Sequence, residues 1–339
     1  MGKTEKKVSK FYTFLPIFIC SIAIPLSMFM WLGHMAFTKF TSHPEYDDGI
    51  EIGPTRWLLS IFIPVLFTVY GYRRGSVNTS GAVLGFILAI CLTVANYAFL
   101  TSLIVFFVTS SRATKFKAAQ KAKFEEDFKG GEGKRNWVQV LCNGGMALQL
   151  CLLYLIDCGV GERPIDFGPL YRSSWLGIAL MSSFACCNGD TWASELGSVL
   201  AKSDPYLITT RKRVPRGTNG GVTPIGLLVS LLGGIIIGLT YFLTVIYTVD
   251  KSILLLSPPQ WPLIPIGGFA GLAGSVIDSL IGATLQYSGQ DEKGRIVEHP
   301  GKTVKHISGM RILDNHSVNL ISSIVTALLV PTLAVHLWP

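Results

Sequence analysis

The chain has 339 residues and a net charge of +8, with 15% of its residues charged and 49% hydrophobic. Soluble domains carry about 25% charged residues. Together with a mean hydropathy of +0.45, this composition excludes an ordinary soluble enzyme.

Crossing a bilayer takes ~20 consecutive apolar residues. Stretches of that length, uncharged except for Asp278 in the fourth, occur at 11–38, 75–111, 217–249, 252–290 and 317–339, with shorter candidates at 57–72, 138–156 and 174–189. The first is too long for a secretory signal, and many spans follow it. Lys and Arg number four in 1–10, eight in 112–135, five in 202–216 and five in 293–311. The loops between these are poor in basic residues, so the basic set, the N-terminus included, is expected on the cytosolic side. Spans at 138–156, 174–196, 222–249, 261–286 and 317–337 then alternate consistently. Residues 57–111 must cross an odd number of times. Either 81–111 is a broken or re-entrant hairpin, or 57–72 does not cross. The fold class expected is an all-α polytopic membrane protein of about seven to nine segments.

Residues 1–137 read as N-terminal anchor spans with a basic cytosolic helix. Within them, 114–129 places Phe116, Phe124 and Phe128 at helical spacing among lysines, which suits a helix lying on headgroups or a merely solvated one. Residues 138–339 read as the catalytic-type membrane domain. The glycosylation acceptors Asn78-Thr-Ser and Asn315-His-Ser fall on the basic side and are expected to be unmodified. Seven cysteines show no disulfide or zinc spacing, and the scattered histidines read as incidental.

Three polar features stand beside apolar segments. In Asn188-Gly-Asp-Thr-Trp-Ala-Ser-Glu-Leu-Gly197, Asp190 and Glu195 follow an uncharged run, and charge at a hydrocarbon boundary marks function by default. Gly189, Ser194 and Gly197 recur eighty-five positions later as Gly274, Ser279 and Gly282, with Asp278 among them. On a regular helix Asp190 and Ser194 share a face and Glu195 points elsewhere. The second feature is Arg211-Lys-Arg-Val-Pro-Arg-Gly-Thr-Asn-Gly-Gly-Val-Thr223, four cations before a glycine turn that opens a helix. Exposed amides there would seat a phosphate. The third combines Ser275, Asp278 and Ser279 with Lys302, Lys305, Arg311, Asp314, Asn315 and Asn319. Carboxylates and oxygens from two helices suit a hard cation such as Mg2+ bridging to phosphates. The competing readings are a structural pairing of each carboxylate across a helix interface, and a purely orienting role for Arg211–Arg216. No Walker A loop is present, since the glycine it requires falls at Ile296.

These residues resemble the transmembrane protein 19 family, a domain-of-unknown-function family that includes the plant phytyl-phosphate kinase. The likeness rests on the decamer at 188–197, Thr218-Asn-Gly-Gly-Val-Thr223, Gly274–Gln286, Asp314-Asn315 with Val318-Asn319, and Ser76–Phe86. It spans roughly residues 60–335. The resemblance implies a multi-pass enzyme of the endoplasmic reticulum or another endomembrane that uses CTP to phosphorylate an isoprenoid monophosphate. Asp190 and Asp278 would hold Mg2+, with Ser194, Glu195 and Ser279 beside them. Asn188, Arg211, Lys212, Arg213, Thr218, Asn219, Gly220, Gly221, Thr223, Asn315 and Asn319 would contact phosphates. The partners implied are the lipid bilayer, the isoprenoid phosphate and the nucleotide, with no nucleic acid. A secondary transporter of a small anion or lipid is the alternative, because duplicated segments with polar breaks also build carrier sites. A noncatalytic membrane protein is another. Carboxylates near the membrane edge favour phosphate chemistry, and carboxylates at mid-bilayer favour a carrier.

Overall fold

A computed structural model of the chain describes residues 22, 24–33, 35–36, 53–116 and 134–339. The expected surface helix therefore lies outside the described residues from 117 onward, as does most of the first span. The chain divides into two units, residues 1–66 and 67–339.

The described helices are α1 (Ile24–Gly33), α2 (Pro54–Arg73), α3 (Thr79–Ala95), α4 (Tyr97–Lys115), α5 (Trp137–Asp157), α6 (Tyr171–Trp192), α7 (Pro224–Thr248), the short α8 (Lys251–Leu256), α9 (Leu263–Leu285) and α10 (Asn315–Leu337). α2, α4, α5, α7, α9 and α10 are each long and apolar enough to cross a membrane. The polytopic all-α expectation holds, and the expected spans match these helices to within a few residues.

The uncharged stretch 75–111 is a helical hairpin broken at Asn96. This one extended residue closes α3, its N–H donating to the Leu92 carbonyl, and opens α4, its side chain accepting from the Ala98 N–H. Asn96 is buried, and its capping satisfies amides that would otherwise be unpaired in the protein interior. Both open ends of the hairpin meet Arg135. Its backbone carbonyl accepts from the Asn78 N–H, and its guanidinium donates to Ser110 and Ser111. The Asn96 end meets the loop after α5, where the Gly161 N–H donates to the Ala95 carbonyl. With α2, the hairpin supplies three helices, of which α3, at 17 residues, is shorter than the six named above.

α6 is too polar to qualify as a lipid-facing span, and its surroundings explain why. It packs against α4, α5, α7, α9 and α10, and its residues from Ser173 to Gly189 are buried apart from Trp175. Such a helix meets protein on all sides, so small and hydroxylated residues serve it better than leucines. At 22 residues it is ~33 Å long, as long as its neighbours. α6 and α9 carry the repeated motif and run in the same direction, both ending at the Arg135 end of the bundle.

The seam of α6, α7 and α9 is closed by glycines. A Cβ on Gly189 would lie 2.7 Å from the Gly271 carbonyl oxygen, and one on Gly271 would lie 2.6 Å from that of Ser230. The backbones touch directly, the geometry that small-xxx-small spacing permits. Past the helix ends, β1 (Tyr206–Leu207) pairs with β2 (Gly221–Val222), and β3 (Ser288–Gln290) lies between β4 (Ile296–Val297) and β5 (Lys305–Ser308), all antiparallel. Leu207, Val214 and Ala283 form a small apolar core beneath these loops.

Gly271→Leu is expected to destabilise the protein by at least the ~1–3 kcal/mol of an overpacked core, or to prevent folding. Leu328→Ala, on an exposed apolar position of α10, is expected to change little. Thermal unfolding in detergent reads both.

Candidate functional site

A cavity of about 510 Å3 opens at the end of the bundle where α6, α9 and the α3–α4 hairpin converge. Asp190 and Asp278 both line it. Asp190 is two residues from the end of α6, and Asp278 is seven residues from the end of α9, ~10 Å along the axis. Neither carboxylate stands at the middle of its helix. The Ser275 hydroxyl donates to Asp190 Oδ1 (3.4 Å) and the Ser322 hydroxyl to Asp278 Oδ2 (3.1 Å). Oriented to donate at both contacts, the Asn319 amide reaches Asp278 Oδ2 and the Asn315 carbonyl, each at 3.2 Å.

α6 does not end regularly. Ala193–Gly197 forms a π-helical turn, a feature found frequently at functional sites. In a regular α-helix Glu195 would stand roughly 140° away from Asp190; the wider turn reduces that offset. Asp190, Thr191, Ser194, Glu195 and Ser198 consequently all border the cavity. This corrects the expectation that Glu195 points elsewhere.

The basic loop also departs from expectation. Arg211, Lys212 and Arg213 are exposed and lie outside the cavity wall; Arg213 packs over the Tyr206 ring. Of that loop's four cations only Arg216 lines the cavity. Lys302, Lys305 and Arg311 are likewise exposed and outside it. The turn Thr218–Thr223 is at the wall, but as a shaped backbone more than as an amide cradle. The amide of Asn219 donates to Ser288 Oγ, that of Gly221 to the Thr218 carbonyl and that of Gly226 to Thr223 Oγ1. Gly220 has φ +77°, and a Cβ there would meet the Ser279 carbonyl at 2.6 Å. Glycine is what lets the turn lean on α9 beside Asp278. Asn219 anchors the turn to β3 and is not a lining residue.

Asn188 is removed from the candidate phosphate contacts. It is fully buried, its Nδ2 donating to the Gly233 carbonyl and its Oδ1 accepting from Thr109. It is a helix-to-helix tie below the cavity. Ser279, Asn315 and Asn319 do line the site. His316 lines it too, against the expectation that every histidine is incidental.

Several lining residues went unrecognised in the sequence: Ser76, Lys115, Arg135, Gln139, Asn143 and Gln286. Arg135 is the important one. Burial lowers the pKa of its guanidinium to about 10, opposed by the nearby Glu195 carboxylate. Its sequence signal, a cation just before a span, is the same one that orients membrane proteins. Among the described residues, no group of three or more His, Cys, Asp or Glu could hold a metal. A cation in this cavity would rest on two carboxylates plus hydroxyl and substrate oxygens.

The model of the family described as Integral membrane protein DUF92 matches residues 62–327, a range that contains the whole cavity wall. The chain belongs to this family. It is the family to which the motifs pointed. The chain is 40% identical over 285 residues to Protein PGR of Arabidopsis thaliana, covering 84% of this chain and 98% of the relative. It is 28% identical over 253 residues to an uncharacterised membrane protein of Methanocaldococcus jannaschii, 75% and 81% of the two chains. To Protein VTE6, chloroplastic, of Arabidopsis thaliana it is 31% identical over 183 residues, 53% and 47% of the two. No solved structure matches.

α10 presents Asn315, His316 and Asn319 from its first turns, and Asp314 caps that end by accepting from the Ser317 amide and hydroxyl. Those bonds hold its carboxylate below the ordinary range. The stabilisation is full above the unfolded Asp pKa, about 4, and fades as pH falls through the lowered folded value. Asp314→Ala is expected to cost ~1 kcal/mol at neutral pH and to make the acid limb of thermal unfolding shallower.

Proposed function

We propose that the protein is a membrane kinase that transfers the γ-phosphoryl group of CTP to an isoprenoid monophosphate. The observation that carries this reading is one cavity, at the bundle's basic end, bordered by Asp190, Asp278, Arg135 and Arg216 together. A lipid phosphate can reach such a place from the bilayer and a nucleotide from the water. The family resemblance to the plant phytyl-phosphate kinase supports the reaction class. The position of Asp190, two residues from the end of its helix, favours phosphate chemistry over an ion-coupled carrier.

In the reaction, an oxygen of the isoprenyl phosphate attacks the γ-phosphorus, the bond to the CDP oxygen breaks, and isoprenyl diphosphate and CDP leave. The attacking oxygen belongs to a phosphate with a second pKa of about 6, so it arrives largely ionised and needs no strong base. What the protein must supply is positioning and charge neutralisation. Arg135 and Arg216 would neutralise phosphate oxygens from opposite walls. Ser194, Ser275 and Ser279 offer hydroxyls to the same space, and the Thr218–Thr223 turn limits its width. The oxygen-only donor set fits Mg2+, which prefers one or two carboxylates plus substrate phosphates and water. Asp190 and Asp278 would hold it, with Ser275 and Ser322 orienting their carboxylates, and the ion would supply Lewis-acid neutralisation of the transferring phosphoryl group. The cytosol is the side on which CTP meets the basic loops, and an endomembrane such as the endoplasmic reticulum is the setting proposed.

Purified protein incubated with CTP, Mg2+ and phytyl or farnesyl monophosphate is expected to form the diphosphate. Asp190→Asn and Asp278→Asn are each expected to lower kcat by on the order of 100-fold or more. Arg216→Gln should raise KM for CTP about tenfold, whereas the pair Arg211→Gln and Lys212→Gln should leave it within about twofold. Full turnover in both Asn variants would remove the carboxylates from the mechanism.

A further inference from the structure

A second, smaller space of about 60 Å3 opens beside the main cavity between α2, α3, α4 and α5. Its walls are almost wholly apolar, including Gly85, Leu88, Phe107, Val140 and Gly144. Arg135, Phe106, Gln139 and Asn143 border both spaces. Apart from Thr68, the crevice is polar only where it meets the carboxylate-bearing cavity, and Arg135 stands at that junction. The guanidinium is braced there by Ser110, Ser111 and the Phe107 ring 5.5 Å away.

Three glycines line the crevice from α3 and α5, and packing accounts for only two of them. A Cβ on Gly81 would strike the Arg135 carbonyl, and one on Gly144 would come within 2.6 Å of Leu88. A Cβ on Gly85 would meet nothing within 4 Å, so its absence leaves the crevice open and serves no helix contact. Val83 and Ile87 on α3 and Leu141 on α5 are exposed at 57%, 46% and 40%. The crevice therefore lies on an apolar flank of the helices that would meet lipid.

We infer that this crevice seats the first isoprene unit of the lipid substrate, and that Arg135 holds the phosphate it carries at the mouth of the main cavity. The inference rests on the kinase reading for the identity of the lipid. An apolar recess with a cation at its inner end matches a single-tailed anionic lipid. A free phosphate would engage the cation and leave the recess unused. Arg135 would act as a positioning residue that aims the acceptor oxygen toward the space between the carboxylates.

The test uses full-length protein in phosphatidylcholine nanodiscs and farnesyl monophosphate carrying a diazirine in its tail. After irradiation, label is expected on residues 81–88 and 139–144, displaced by unlabelled farnesyl monophosphate and not by inorganic phosphate. Gly85→Phe should cut that labelling and raise KM for farnesyl monophosphate by about tenfold, with KM for CTP unmoved. Ile87→Phe, the same bulk on the lipid side of α3, should leave the labelling unchanged. Label scattered over lipid-facing surfaces, confined to other helices, displaced equally by inorganic phosphate, or undiminished in Gly85→Phe would overturn the assignment. If Gly85→Phe does not fold, the label map of the unaltered protein decides alone. Crevice labelling without CTP consumption would sink the kinase reading and keep the seat; turnover with label elsewhere would do the reverse.

Discussion

The contact between backbones of α6, α7 and α9 is the constraint on which the site depends. Gly189 touches Gly271, and Gly274 lies against Cys186. Asp190 is the residue after the first of these glycines, and Asp278 is one helical turn beyond Gly274 on the same face. The seam that brings the helices together therefore also fixes the separation of the two carboxylates. Larger residues would push the helices apart and carry the acidic side chains with them. In lipid no hydrophobic force rewards helix association, so close packing and interhelical hydrogen bonds must hold this arrangement. The Asn188 bonds to Gly233 and Thr109 are one such tie.

Acidic groups this close to a hydrocarbon layer are costly unless protein surrounds them. Here α6 lies among five other helices, and hydroxyls and amides from α9 and α10 reach the carboxylates. The loops past the helix ends close over this region through two small sheets, joined where the Asn219 amide meets Ser288. The chain thereby makes a water-accessible polar chamber without exposing polar backbone to lipid. An apolar recess opens from its side, beside Arg135.

Much of the fold was legible because long uncharged runs and basic loops report bilayer length and orientation directly. The duplicated Gly–Ser–Gly spacing located both carboxylates, and the alternation of basic loops implied the parallel course of their helices. What hydropathy could not reveal were features without a composition signature. Asn96 breaks an uncharged run with one neutral residue, and only its double capping role makes it a turn. The π-helical turn at Ala193–Gly197 depends on packing beyond the local sequence, so the direction of Glu195 was misjudged. Arg211, Lys212 and Arg213 form the densest cationic cluster near the motifs, yet the β1–β2 pairing turns them outward. Arg135 does the opposite: the last cation of a basic segment that reads as an orientation signal is folded inward by its parallel bridge to Val77 and its bonds to α4. Charge density in a loop was a poor guide to which charge faces the site, because backbone pairing decides that.

The central claim is that Asp190 and Asp278 act on one divalent ion in one chamber. Titration of Mn2+, as a spectroscopic substitute for Mg2+, into the nanodisc-embedded protein with CTP present, followed by electron paramagnetic resonance, tests this most directly. The account predicts one ion bound per chain, with binding lost in either single Asn variant. Binding that survives in both variants, or that needs only one of the two carboxylates, would contradict it.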